Sequence, residues 1–131
     1  AGFEFGSVSY DLPLSLGSLD FDQNGKGDAL TDALLLLRYT FRLRGSDLTA
    51  GAIASDSPLT AAEVEANVAE AVSSFADIDG SGHIDALTDS LLLLRYLFNL
   101  RGEDLVSGAI SGDADRSASD DVEAYIFKRM P

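Results

Sequence analysis

The chain repeats itself. Residues 20–54 read DFDQNGKGDALTDALLLLRYTFRLRGSDLTAGAIA and residues 77–111 read DIDGSGHIDALTDSLLLLRYLFNLRGEDLVSGAIS, identical at 23 of 35 positions at an offset of 57. A weaker match follows at an offset of 58, where Val64-Glu65-Ala66 recurs as Val122-Glu123-Ala124. A duplicated unit of this size is a supersecondary block whose apolar face is covered by its own copy. The unit contains an acidic loop, a leucine-rich segment, an Arg-Gly turn and a second amphipathic segment. Its copies span 20–76 and 77–131, and residues 1–19 fall outside them.

The leucine-rich segments predict helices over 31–43 and 88–100. Leu34, Leu37 and Phe41 form one stripe and Leu36, Tyr39 and Leu43 another, with Leu91, Leu94, Phe98 and Leu93, Tyr96, Leu100 as counterparts. Two stripes require a helix covered on more than one side. The copies are therefore expected to pack their helices together near an approximate twofold axis. Gly45 and Gly102 are placed as the residues that end these helices in a left-handed conformation. Thr60-Ala61-Ala62-Glu63 is a capping box opening a helix over 61–74, with Val64, Val68 and Val72 spaced by four. A last helix is predicted over 119–130, capped by Ser119, with Val122, Ile126 and Met130 inward. Segments 46–58 and 103–117 read as loops holding a packed Gly-Ala-Ile turn. The expected class is all-α: two pseudo-symmetric loop–helix–turn–helix units over 20–131. Ahead of them Val8, Tyr10, Leu12, Leu14 and Leu16 alternate as in a strand with no partner, so residues 1–19 are expected to form an extended N-terminal arm or linker.

Charge and composition exclude several functions. Nine Lys+Arg against 22 Asp+Glu give a net charge of −13, the wrong sign for a nucleic-acid binder or for an anionic membrane surface. A hydrophobic content of 46% is too high for a disordered acidic tail. Without cysteine, and with His83 as the single histidine, the chain lacks material for disulfides, iron–sulfur clusters or a zinc site. The longest aliphatic run is four leucines, too short for a transmembrane helix. The start at Ala1-Gly2 reads as that of a mature or excised fragment.

The acidic excess is concentrated where an ion would need it. Asp20, Asp22, Asn24, Gly25, Asp28 and Asp32 recur as Asp77, Asp79, Ser81, Gly82, Asp85 and Asp89. Calcium takes six to eight hard oxygens, which a wrapping loop supplies from alternating positions. The sixth position needs a sharp turn, hence Gly25 and Gly82. The seventh supplies a main-chain carbonyl, here from Lys26 and His83, so those side chains are unconstrained. Magnesium keeps several waters and rarely uses an all-protein loop. Two calcium ions are expected, one per loop.

The run Asp20-Phe-Asp22-Gln-Asn24-Gly25, then Asp32 and four leucines followed by Arg-Tyr, resembles the duplicated calcium-loop–helix of type I dockerin modules. The likeness covers 20–43 and 77–100. The Asp-Ala-Leu-Thr-Asp variant also resembles dockerin-like modules appended to secreted bacterial polysaccharide-degrading enzymes and surface proteins. The resemblance implies an EF-hand-like loop without an entering helix and two units packed pseudo-symmetrically. It also implies a non-enzymatic anchoring role toward a cohesin-like or other protein domain, within a larger secreted or cell-surface chain. The family closes its loop with the twelfth residue, whereas Asp32 and Asp89 stand thirteenth. Ala29-Leu30 and Ala86-Leu87 occupy the pair that reads Ser-Thr in many cohesin-binding dockerins.

Two alternatives stay open. A rigid calcium-dependent spacer would bury its apolar residues, whereas a partner-binding module would expose some, such as Leu35/Leu92 or Ala29-Leu30. A small hydrolase would need a displaced acid outside the loops. Asp113-Ala-Asp115-Arg-Ser117 mimics the start of a third loop but has Ala118 where the turn glycine belongs, so it reads as a helix-start loop.

Overall fold

The computed structural model describes residues 17–131. Most of the expected arm therefore lies outside the described residues. Of its last three, Leu19 is fully buried and donates its amide to the Arg129 carbonyl at 3.0 Å, tying this end of the chain to the other.

Every element among the described residues is helical: α1 (Leu34–Thr40), α2 (Ser46–Thr49), α3 (Ala61–Ser74), α4 (Leu91–Leu97), α5 (Glu103–Val106) and α6 (Ser119–Phe127). The fold is all-α, as expected. The segments read as loops each carry a short helix, α2 and α5, whose single turns give no periodic signal in sequence. A π-helical turn leads into α1 and α4, at Ala29–Ala33 and Ala86–Ser90. In these turns Ala33 donates to the Asp28 carbonyl at 3.3 Å and Ser90 to that of Asp85 at 3.2 Å. Bonds five residues apart widen the turn by one residue over an α-helix. That is where the thirteenth-position aspartates are accommodated.

The leucine-rich helices end earlier than predicted. Arg42 and Asn99 take left-handed φ values of 72° and 69°. Leu43 donates back to the Arg38 carbonyl at 3.0 Å, and Leu100 to that of Arg95 at 2.9 Å. These are Schellman ends with Arg42 and Asn99 in the turning position. Gly45 and Gly102, expected there, instead open α2 and α5. The capping box at Thr60 is present, with its hydroxyl accepting from Glu63 and Glu63 accepting from the Thr60 amide. In α6 the capping position falls on Ala118, so Ser119 is the first helical residue and not a cap.

The core is built from the middle leucines of each run. Leu35, Leu36, Leu92 and Leu93 are fully buried, together with Phe21, Ile78, Leu48, Leu105, Val64 and Ile126. Leu37 is only half-buried, and Phe41 and Phe98 remain 56% and 55% exposed. The stripes drawn from a regular helix starting at residue 31 were displaced because the π-turn shifts the helical phase and because α1 and α4 stop short of the phenylalanines. Leu35 and Leu92, named as possible partner contacts, are core residues; Leu30 and Leu87 are the exposed ones, at 67% and 69%. α1 packs on the second π-turn and α4 on the first, so the two units share one core.

Arginines lock the turns. Arg38 donates to the carbonyls of Leu48 and Ala50 at 2.9 and 2.7 Å, and Arg95 to those of Leu105 and Ser107 at 3.0 and 2.6 Å. Arg44 and Arg101 lie over the rings of Tyr39 and Tyr96, 3.4 and 3.6 Å from their centres, and cap nearby carbonyls. Stacking on an aromatic face suits a planar guanidinium.

Candidate metal centres

Each acidic loop closes on itself before its helix begins. In the first, Asp20, Asp22 and Asp32 bring carboxylate oxygens within 4.8 Å of one another; in the second, Asp77, Asp79 and Asp89 do so. Asp22, Asp32, Asp79 and Asp89 have no exposed surface. Both triplets could hold a metal ion.

The π-turn aims the closing carboxylate backward into the loop. Asp32 accepts the Phe21 amide at 2.8 Å and the Asp28 amide at 2.9 Å. Asp89 accepts those of Ile78 at 2.7 Å and Asp85 at 2.9 Å. The turn glycines fold the loop over its first aspartate: Gly25 donates to Asp20 at 2.9 Å and Gly82 to Asp77 at 2.8 Å. Their φ values of 87° and 90° lie in the region that favours glycine. A later segment closes the other side. Ala54 donates to Asp22 and Ser111 to Asp79, each at 2.9 Å. The sequence reading missed these amides. Their signal was present, since the strong identity runs through Gly-Ala-Ile up to those two residues.

Burial without a counter-charge displaces the carboxyls upward. Burial, with Asp22 and Asp20 adding repulsion against the opposing Asp28 and Phe21 amides, brings Asp32 to about 7. Burial likewise brings Asp89 to about 7, with Asp79 and Asp77 as the repelling neighbours. Asp20 is raised to about 6, chiefly by burial and further by Asp22, against the Gly25 amide. The Oδ1 atoms of Asp20 and Asp22 are buried and have no hydrogen-bond partner. A buried acceptor left open is costly unless something fills it, and a hard cation is the group that suits two facing carboxylate oxygens.

The remaining expected ligands lie around these triplets. Asn24 accepts the Lys26 amide through Oδ1 at 3.1 Å and donates to Asp56 at 3.2 Å. The Ser81 hydroxyl lies 3.1 Å from the His83 carbonyl, and the His83 side chain belongs to an exposed residue. Asp28 and Asp85 do not join the triplets; they hold the capping positions of the π-turns in extended conformation. Asp113 and Asp115 form no third acidic triplet among the described residues. Their segment instead seats on the second loop: Asp115 donates to the Gly80 carbonyl at 3.2 Å and Arg116 to that of Asp79 at 2.8 Å.

No helix is long and apolar enough to cross a membrane among the described residues. Comparison with protein-family models, with curated proteins and with solved structures finds no match to this chain.

Proposed function

We propose that the chain is a non-catalytic, calcium-stabilised interaction module of a larger secreted or cell-surface protein, dockerin-like in its loops, with one Ca2+ in each. The observation that carries this reading is the convergence of three carboxylates per loop, all buried in the first loop and two of them buried in the second, with unpartnered oxygens on two of the first loop's three. Burying such charge without compensation is strongly unfavourable, and a doubly charged ion offsets it. Asp20, Asp22, Asp32 and Asp77, Asp79, Asp89 are the core ligands. Asn24, Ser81 and the carbonyls of Lys26 and His83 would complete the shells, with Asp28 and Asp85 acting directly or through water.

An interaction role is favoured over a bare spacer by apolar residues left outside at equivalent positions of both copies: Leu30 and Leu87, Phe41 and Phe98, Leu43 and Leu100. Calorimetric titration of the chelator-treated chain with Ca2+ tests the reading. Two bound ions per chain are expected; no binding of Ca2+ would refute it.

A further inference from the structure

The two loops resemble each other in sequence but differ in which carboxylate oxygens are already occupied. In the second loop all four oxygens of the leading pair accept amides. Asp77 accepts Ser81 at 3.0 Å and Gly82 at 2.8 Å, and Asp79 accepts Ser81 at 3.2 Å and Ser111 at 2.9 Å. In the first loop only half of them do: Asp20 Oδ2 accepts Gly25 and Asp22 Oδ2 accepts Ala54, while both Oδ1 atoms are buried and open.

A second difference has the same sign. Arg116 donates through its guanidinium to the carbonyls of Asp77 and Ile78, both at 2.8 Å, which sets a fixed positive charge against the second loop. At the offsets that relate the copies, residue 116 corresponds to Leu59 or Pro58, neither of them charged. A third concerns the fifth loop position. Asn24 Oδ1 and the Ser81 hydroxyl each accept the amide two residues on, from Lys26 at 3.1 Å and His83 at 3.3 Å, but the Ser81 hydroxyl also lies 3.1 Å from the His83 carbonyl, itself an expected ligand.

We infer that the loops are unequal calcium sites, and that the loop of Asp20, Asp22 and Asp32 fills first and more tightly than the loop of Asp77, Asp79 and Asp89. The inference rests on the calcium reading above. An ion entering the first loop meets two buried carboxylate oxygens, Asp20 Oδ1 and Asp22 Oδ1, with no competing donor. An ion entering the second must displace or share amide bonds, and it approaches beside a guanidinium. Charged hydrogen bonds of this kind are strong enough for the constants to differ by about tenfold or more. The module would then pass through a singly loaded state, with the second loop responding to calcium over a higher range.

The test uses the full chain and Ca2+ alone. Calorimetry should resolve two binding phases separated by about tenfold or more. In parallel, NMR titration follows the Gly25 and Gly82 amides, which report each loop on the unsubstituted protein. Gly25 should shift first and Gly82 at higher calcium. Asp20→Asn should remove the tight phase and Asp77→Asn the weak one. Gly25 and Gly82 moving together, Gly82 moving first, or a tight phase lost only with Asp77→Asn would overturn the inference while leaving calcium binding intact. Absence of any binding would overturn the calcium reading itself, and this inference with it.

Discussion

The hydroxyls of Thr40 and Ser90 lie 3.1 Å apart, joining the end of α1 to the π-turn that carries Asp89. At the corresponding positions of the other copy stand Leu97 and Ala33. Two of the few differences within the leucine-rich segments therefore fall at one junction between the units. Ser90 is fully buried, so Thr40→Val should strand its hydroxyl and cost about 1–3 kcal/mol. Replacing both residues by the pair found in the other copy, Thr40→Leu with Ser90→Ala, should cost less than Thr40→Val, because no polar group is left unpaired. Urea midpoints of the three proteins decide the matter, and a double variant weaker than Thr40→Val would contradict it.

The second prediction concerns the core. Leu35, Leu36, Leu92 and Leu93 are fully buried, so truncation of any one to Ala should lower stability by about 2–5 kcal/mol. Leu30→Ala and Leu87→Ala, at exposed positions, should stay within about 0.5 kcal/mol. Denaturant unfolding in saturating Ca2+ separates the two groups. Equal losses from both would mean that the burial pattern is not the one described.

Much of this was legible in the sequence, and what was not has physical causes. The duplication announced two units with a common core, and the aspartate spacing announced the loops, because both patterns recur at a fixed offset. The Thr60–Glu63 cap was readable because its two bonds are local. The register of the leucine helices was not, since a π-turn inserts one residue without altering the pattern of residue types. The left-handed ends at Arg42 and Asn99 were hidden because glycines stood nearby and drew the assignment. The contacts of Arg116 with the second loop had no signal at all: they cross 38 and 39 residues and exist in one copy only.

If each loop holds an ion as proposed, removing both should loosen the whole module. Binding to the native state alone adds about 2.7 kcal/mol per site at a hundredfold excess over the dissociation constant. Each loop also grips a distant segment, through Ala54 in one unit and Ser111 in the other. Excess chelator should therefore lower Tm markedly. Asp32→Asn and Asp89→Asn should each remove one ion, and Asp32→Asn the larger share of that calcium-dependent gain, because the tighter site contributes more at a given calcium concentration. A Tm indifferent to chelator at low salt would rule out structural calcium.

A smaller prediction comes from the weak part of the repeat. Glu65 accepts the Gly45 amide at 2.9 Å and Glu123 accepts the Gly102 amide at 2.8 Å, so the 58-residue offset preserves a real contact. Glu65→Ala and Glu123→Ala should each cost about 0.5–1.5 kcal/mol, and Glu→Gln at either position less, because the amide oxygen still accepts. Thermal melts in saturating Ca2+ measure the difference; Gln as damaging as Ala would point to charge and not to this hydrogen bond.

The last prediction is the response to pH. Asp32 and Asp89 are raised to about 7 and Asp20 to about 6, from an ordinary value of 3.8. Between the ordinary and the raised values the folded, metal-free chain holds more protons than the unfolded one. Its stability must then fall as pH rises through that window and recover as pH drops. The cost is fully present above about pH 7 and is relieved by about pH 4. Calcium held as proposed would act in the opposite sense, because it would bind the deprotonated carboxylates and compete with those protons. Stripped of metal on a chelating resin, the protein should melt at a higher temperature at pH 5 than at pH 7.5, values chosen inside and above about that window. The extra stability conferred by a fixed Ca2+ concentration should shrink over the same descent. Asp32→Asn should weaken both effects, since one of the raised carboxyls is gone. A calcium-dependent Tm increment that grows on acidification would be incompatible with ions held by Asp20, Asp32 and Asp89.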